Sequence, residues 1–588
     1  MKSRPRSARS NILPVLAAFS VLSAGASSPA DARPTDPVAA NISALRHEGL
    51  QGSQVMDHMS WLADVYGPRM SGTPALTDAS DWAMRQATRW GLVNVHREHF
   101  PFGAGWSLEK SAIRMVAPQP MQIIGYPISW TPGTDGPVRA EVVNAVIRTE
   151  SDFALWRGRL RGKAVLLQPA VDVAPIELPL FYRFSDADLQ ALEEDTSVGW
   201  QWLAGAQRDG SKRPVHAVPE DAGRSAGLYG VAETEANNRW FDALLAFLKS
   251  EGVVAVIERG ADTNTRPATS INWLIPRNTQ RVDGGTVFTP TALNTGLENQ
   301  QRLLPWLVIA VEQYNRMVRI LRHDVAVTIE LDIGVRWHPE TGEGNGFNTL
   351  AELPGTDLAA QTVIVGAHLD GVHTASAAID NAAGVAIAME AMRLLSRLEV
   401  KPRRTIRMAL WGGEENALVG SRAYVVSHYG DPFGSASRSK AAQRVSAYFN
   451  VDNGAGRIRG LFARNNLAAM PILRNWIEPL RDLGVTTISP RATATALSQG
   501  RFVSGSDYLY FDAAGIPSFE MIQDPLDYFS RGAHSNMDYL DRAPPEDMIQ
   551  ASVALAVLAY QAAMADDPLP RRALPRREDT RAPGDSTQ

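Results

Sequence analysis

Two histidines and a series of acids stand along this chain in an order that suits metal-assisted hydrolysis: His368-Leu369-Asp370, Asp380-Asn381, Glu414-Glu415, Asp452 between two asparagines, and His534 in Arg531-Gly532-Ala533-His534-Ser535-Asn536. Two imidazoles and three carboxylates are a donor set that zinc accepts when thiolates are absent, and the chain has no cysteine. A carboxylate bridges two ions, which a neutral imidazole does not. Two ions a few ångströms apart polarise a carbonyl, lower the pKa of a water between them and stabilise the oxyanion that forms. Such chemistry also needs an acid that stays off the metal and takes the water's proton. The Glu414-Glu415 pair offers both kinds of carboxylate. Each fragment alone has a plainer reading: a structural His-x-Asp, an Asp380 that caps the next helix, a solvated Glu pair, a loop histidine. Their joint occurrence favours the metal.

The scaffold that must position them is legible between 362 and 564, where short apolar β-rich runs alternate with amphipathic stretches. Strands are predicted at 362–367 (TVIVGA), 405–410 (TIRMAL), 445–449 and 516–522, and helices at 382–395, 418–429, 467–483 and 545–564. Glu546 and Asp547 suit the first turn of the last helix. Repeated crossovers of this kind imply an α/β fold with a mostly parallel central sheet covered by helices. In open α/β sheets ligands bind beyond the carboxyl ends of the strands, and the polar clusters fall at such ends. Before residue 344 the texture changes to frequent Pro and Gly with longer loops. Strand candidates at 164–167, 253–258, 307–311 and 325–332, with helices at 239–248 and 313–321, describe a second, β-rich module. Residues 41–99 are helical in pattern and are expected to join the C-terminal domain. No internal repeat is present.

At 588 residues, 45% hydrophobic and 21% charged, the chain is globular and too long for one ordinary core. Residues 1–32 read as a cleavable signal peptide: Lys2, Arg4, Arg6 and Arg9, then an apolar stretch at 12–22 shorter than a membrane span, then Ala30-Asp31-Ala32. Its removal takes the formal charge from -5 to about -8. The expected location is secreted or periplasmic, with no membrane span after cleavage, no disulfides and no lipidated cysteine. No basic run lies in the folded region, which excludes a nucleic-acid partner. Arg571, Arg572, Arg576 and Arg577 fall in a Pro-rich segment and are expected to form a solvated, disordered tail.

The motifs AHLDG, AAIDNAAGVA, LWGGEENALVGSRAY, NVDNG and GAHSNMD, with GPRMSGT near the start, resemble the two-zinc exopeptidase family of bacterial leucine aminopeptidases, glutamate carboxypeptidase II and carboxypeptidase Q, most closely its carboxypeptidase Q-like bacterial members. The resemblance runs from about 41 to 564. It implies that His368 and Asp452 hold one zinc, Glu415 and His534 the other, and Asp380 both. Glu414 would then be the general base and Asp370 the residue that orients His368. It implies two Zn²⁺ per chain, with Mn²⁺ or Co²⁺ as alternatives. It also implies a protease-associated domain inserted at 125–340, between an N-terminal peptidase part (33–124) and the catalytic domain (341–566), with 567–588 as tail. Asp507 is a candidate for binding a substrate amine, or else a helix cap. Tyr528 is a candidate for approaching the reaction intermediate, or else a buried structural tyrosine. His373 and His428 are not expected to be ligands. The expected activity is hydrolysis of the N-terminal peptide bond of short peptides or dipeptides by a two-zinc-activated water. The alternatives are a carboxypeptidase of the same fold or a non-catalytic receptor-like relative. Short peptides are the expected partners, and a homodimer is compatible with the sequence.

Overall fold

The computed structural model describes residues 36–572 apart from 174, 177–178, 197–234, 261–280, 290–294, 341–343, 433–437, 493–496, 499–500 and 503–504, and it contains two eight-stranded sheets. The signal-peptide reading of 1–32 lies outside the described residues.

The first sheet has the order Val93–Phe100, Gly346–Leu353, Thr405–Trp411, Thr362–His368, Val445–Asn450, Ser518–Gln523, Ile458–Phe462, Thr487–Ser489. Its four central strands, from Thr405–Trp411 to Ser518–Gln523, run parallel, as does the last pair. The three remaining pairings are antiparallel, so the sheet is mixed around a parallel centre. Covered parallel strands need apolar residues on both faces. Val363, Val365 and Ala367 share a core with helices Ala383–Arg397 and Pro545–Met564. Ile364 instead joins Trp411 and Tyr448 under helices Val419–Tyr429 and Tyr508–Ala513. Pro545–Met564 is apolar enough to cross a membrane by composition, yet 83% of its apolar window is buried, which makes it the central helix of this core. Helix Pro37–Gly52, capped by Asp36 accepting from the Val38 N–H, packs along it.

Two expectations are corrected here. The helical pattern of 41–99 holds for Pro37–Gly52, Val55–Ser60 and Pro74–Arg89, but Val93–Phe100 is a strand, antiparallel to Gly346–Leu353 at the sheet edge. The expected solvated tail is ordered as far as residue 572. Leu569 is buried in the first core, Arg571 donates to the carbonyls of Gly515 and Gln443, and Arg572 pairs through two nitrogens with Asp512. These arginines meet acceptors rather than water, so composition alone misreads them.

The second sheet, Met121–Gln122, Gly105–Ala117, Thr328–His338, Val138–Asn144, Lys163–Leu166, Ala255–Arg259, Trp306–Ile309, Gly125–Pro127, starts at Gly105, ahead of residue 125. Helix Val311–Leu321 covers one face through Tyr314, Met317 and Val318, and helix Glu235–Glu251 the other through Phe241, Leu244 and Leu248.

His373, on the loop after strand Thr362–His368, joins the two sheets. Its Nε2 lies 2.7 Å from the Pro127 carbonyl and its ring meets Trp106 edge-on at 5.0 Å. Burial lowers its pKa to about 4, so it folds neutral. Its stabilising contribution is complete above about pH 6.5 and is lost as pH falls from there to about 4, a total of about 3 kcal/mol. His373→Gln keeps a donor for Pro127 but takes up no proton. Denaturant unfolding at pH 7 and pH 4 is expected to show a smaller loss for the variant than for the parent, and equal losses would remove His373 from this role.

Candidate metal centre

The parallel strands of the first sheet end at one edge and deliver their polar residues there. His368 is the last residue of its strand, Trp411 leads through Gly412 and Gly413 into Glu414 and Glu415, and Asn450 leads into Asp452. Asp380 lies on the loop before helix Ala383–Arg397, where the Asp380–Asn381 peptide bond is cis. Asn381 donates to the Val451 carbonyl at 2.9 Å and accepts from the Gly384 N–H at 2.9 Å, so the capping role falls to Asn381 and leaves the Asp380 carboxylate for other partners.

The donors gather into two trios that share Asp380. His368 Nε2 is 3.2 Å from Asp452 Oδ1 and 3.3 Å from Asp380 Oδ1. His534 Nε2 is 2.9 Å from Glu415 Oε2 and 3.4 Å from Asp380 Oδ2. Within each trio the ligand atoms lie within 4.8 Å of one another. A tetrahedral zinc with bonds of about 2.0–2.1 Å sets its ligand atoms about 3.3 Å apart, so the measured separations fit. The charge balance fits as well. Burial, reinforced by neighbouring acids, holds the carboxyls of Glu414, Glu415 and Asp452 above their usual range. Burial acts the same way on Asp380, but His368 and His534 outweigh it and keep that group low. A pocket that crowds acids in this way is suited to a cation.

Glu414 belongs to neither trio, yet it lies within electrostatic reach of His368, Asp452, Asp507 and Glu415. Its turn is pinned from below: Asp370 accepts from the Glu414 N–H at 3.2 Å and from Ser71 Oγ at 3.0 Å, and Ser71 accepts from the Gly413 N–H at 2.8 Å. His368 Nδ1 lies 3.0 Å from the Asp370 backbone carbonyl and 3.6 Å from its carboxylate, so the main chain of Asp370 is its nearer partner. Tyr528 is buried beside the Asp380 carboxylate and helps to keep it ionised. Asp507 is fully buried, its carboxyl pushed up to about 8 by desolvation and by Asp452 and Asp370, with His368 opposing. His428 pairs with Glu98 on the surface and, like His373, stands apart from the donors.

Three supporting residues escaped the sequence reading. Arg69, fully buried, donates to the carbonyls of Leu62, Leu369 and Ala377 at 2.7–2.8 Å and of Ser376 at 3.2 Å, which ties the His368 and Asp380 loops together. Asp538 accepts from the N–H groups of Ile379 at 2.6 Å and Asp380 at 3.2 Å. Glu520 accepts from Asn450 and Asn453, the residues that flank the Asp452 turn, at 3.0 and 3.2 Å. Only Arg69 and Asp538 sit within or beside quoted motifs.

An α/β sheet whose strand ends gather two acid-and-imidazole trios around a shared carboxylate forms a centre that could hold metal ions. Residues 348–559, which supply every donor, match the family model Peptidase family M28. Carboxypeptidase Q of Homo sapiens is 28% identical over 289 residues, 49% of this chain and 55% of the relative; that of Mus musculus is 29% identical over 295 residues, 50% and 57%. The chain thus matches about half the length of these curated relatives. A crystal structure of a peptidase M28 precursor from Shewanella amazonensis SB2B aligns with a TM-score of 0.58 at 22% identity, covering 92% of this chain and 99% of that one, and shares its fold.

Proposed function

We propose that the chain is a zinc-dependent exopeptidase that cleaves the N-terminal peptide bond of short peptides or dipeptides, with Glu414 as general base. The observation that carries this reading is the Asp380 carboxylate, with one oxygen turned to each imidazole, beside an acid that joins neither trio. His368 and Asp452 would hold one zinc, Glu415 and His534 a second, with Asp380 available to both. Bound zinc supplies Lewis acidity for the scissile carbonyl and for the attacking water. Glu414 takes the water's proton and returns it to the leaving amine. Tyr528 stands beside Asp380, and the full burial of Asp507 favours a supporting place over direct contact with an amine. The leader at 1–32 supports export.

The name of the relatives favours a second reading, release of a C-terminal residue. A screen of free, N-blocked and C-blocked dipeptides separates the two. The aminopeptidase reading expects C-blocked substrates to be cleaved and N-blocked ones to be refused by at least about tenfold in kcat/KM. The reverse pattern would establish the carboxypeptidase, and no cleavage of any substrate by zinc-loaded protein would point to a non-catalytic relative.

A further inference from the structure

His534 differs from the other donors in how it is held. His368, Asp380 and Glu415 are buried at strand ends or on the pinned loop and the Asp452 side chain is only 8% exposed, whereas the His534 side chain is 39% exposed and its backbone is left-handed, with φ 57°. It stands 11 residues past the last strand of its sheet, on a loop that leaves Ser518–Gln523 and is held in part by its own bonds, Ala533 N–H to the Tyr528 carbonyl at 2.9 Å and Ser535 Oγ to the Gly532 carbonyl at 2.9 Å.

Two segments that the chain inserts between strands of the second sheet flank this loop. On one side, the main chains of Tyr182 and Leu526 exchange hydrogen bonds of 2.8 Å, and Asp524 accepts from the Phe184 N–H at 3.0 Å, where Phe184 packs on Phe462 and Ile522 of the first sheet. On the other side, residues 281–289 run antiparallel to the His534 segment, with Phe288 bridged to Ser535. Arg281 N–H donates to the Ser530 carbonyl at 2.8 Å and Thr289 N–H to the His534 carbonyl at 3.0 Å. Asn536 closes the contact three times: its N–H donates to the Val287 carbonyl at 3.1 Å, its Oδ1 accepts from the Val287 N–H at 2.7 Å, and its Nδ2 donates to the Gly285 carbonyl at 3.1 Å. The 281–289 segment is itself rooted in the second module. Val287 lies in the core beneath Trp306, Val282 and Phe288 pack on Val311, and Glu312 accepts from the Gly284 N–H at 2.6 Å.

We propose that the second module is a positioning element of the metal centre, and that Asn536 is the residue through which its 281–289 segment sets the backbone from which His534 reaches the Glu415 and Asp380 carboxylates. The idea rests on reading His534 as a zinc donor. A left-handed non-glycine backbone persists only where its surroundings over-determine it, and here the 281–289 segment adds its bonds to those within the loop. Groups that orient a metal ligand without touching the metal typically govern affinity by about 10- to 100-fold.

The test is zinc competition against a fluorescent chelator on the full chain, resolving the two ions, with a melting curve alongside. Asn536→Ala is expected to weaken one ion by about 10- to 100-fold and leave the other unchanged. Asn536→Asp keeps the acceptor for Val287 and is expected to fall between Asn536→Ala and the parent. Unchanged affinity in Asn536→Ala overturns the proposal, and so does equal weakening of both ions with a lowered melting temperature in both variants, since that marks general structural damage. His534→Ala separates the underlying reading: if it leaves both ions in place, His534 is no donor, whatever Asn536 does.

Discussion

Replacing Glu414 by Gln is expected to lower kcat by about 10²- to 10⁴-fold while the protein still binds about two zinc ions per chain. The amide keeps the shape of the carboxyl and its place at the Asp370-anchored turn, but it cannot accept a proton. Because Glu414 lies outside both donor trios, the ion count should be untouched. Metal analysis paired with turnover therefore distinguishes a base from a ligand. A variant that loses zinc would make Glu414 a ligand, and a variant that turns over normally would leave the proton to another group. The same change at Glu415 should behave in the opposite way, losing an ion first, because its Oε2 is the nearest carboxylate oxygen to His534.

The second large effect is on stability. Arg69→Met is expected to destabilise the protein by at least about 4 kcal/mol in denaturant unfolding, because four carbonyls lose a charged donor and each orphaned buried acceptor costs about 1–3 kcal/mol. Burial lowers the Arg69 pKa only to about 10, opposed by Asp538, Asp370, Asp380 and Glu415, so the guanidinium remains charged at neutral pH. Its removal also takes a positive charge from beside a crowded set of acids. A loss below about 1 kcal/mol would mean that water replaces the donor and that the loops are held by other bonds.

The donors were legible because chemistry and topology coincide at strand ends. TVIVGAH is a run only a covered parallel strand tolerates, and a histidine ending such a run points at the crevice. Helices 382–395, 418–429 and 545–564 announced themselves through apolar spacing and are found at Ala383–Arg397, Val419–Tyr429 and Pro545–Met564. Val93–Phe100 did not, since VNVHREHF is polar and mostly open on both faces, and only pairing at the sheet edge makes it a strand. Arg69 and Asp538 stand within the motifs GPRMSGT and GAHSNMD, but their roles were hidden because they bind main-chain atoms, whose positions follow only from the fold. The ordered Arg572 is similar, its meaning set by Asp512, 60 positions earlier.

The pairing of helix Pro37–Gly52 with helix Pro545–Met564 bears on the order in which the enzyme comes into being. Asn41 donates to the Tyr560 hydroxyl at 2.7 Å across 519 positions of sequence, so the earlier helix waits that long in synthesis for its partner. At about 5–20 residues per second that interval is about 25–100 s. His534 emerges only shortly before the closing helix. A chain that has not yet reached residue 534 therefore has neither a sealed core nor a complete donor set.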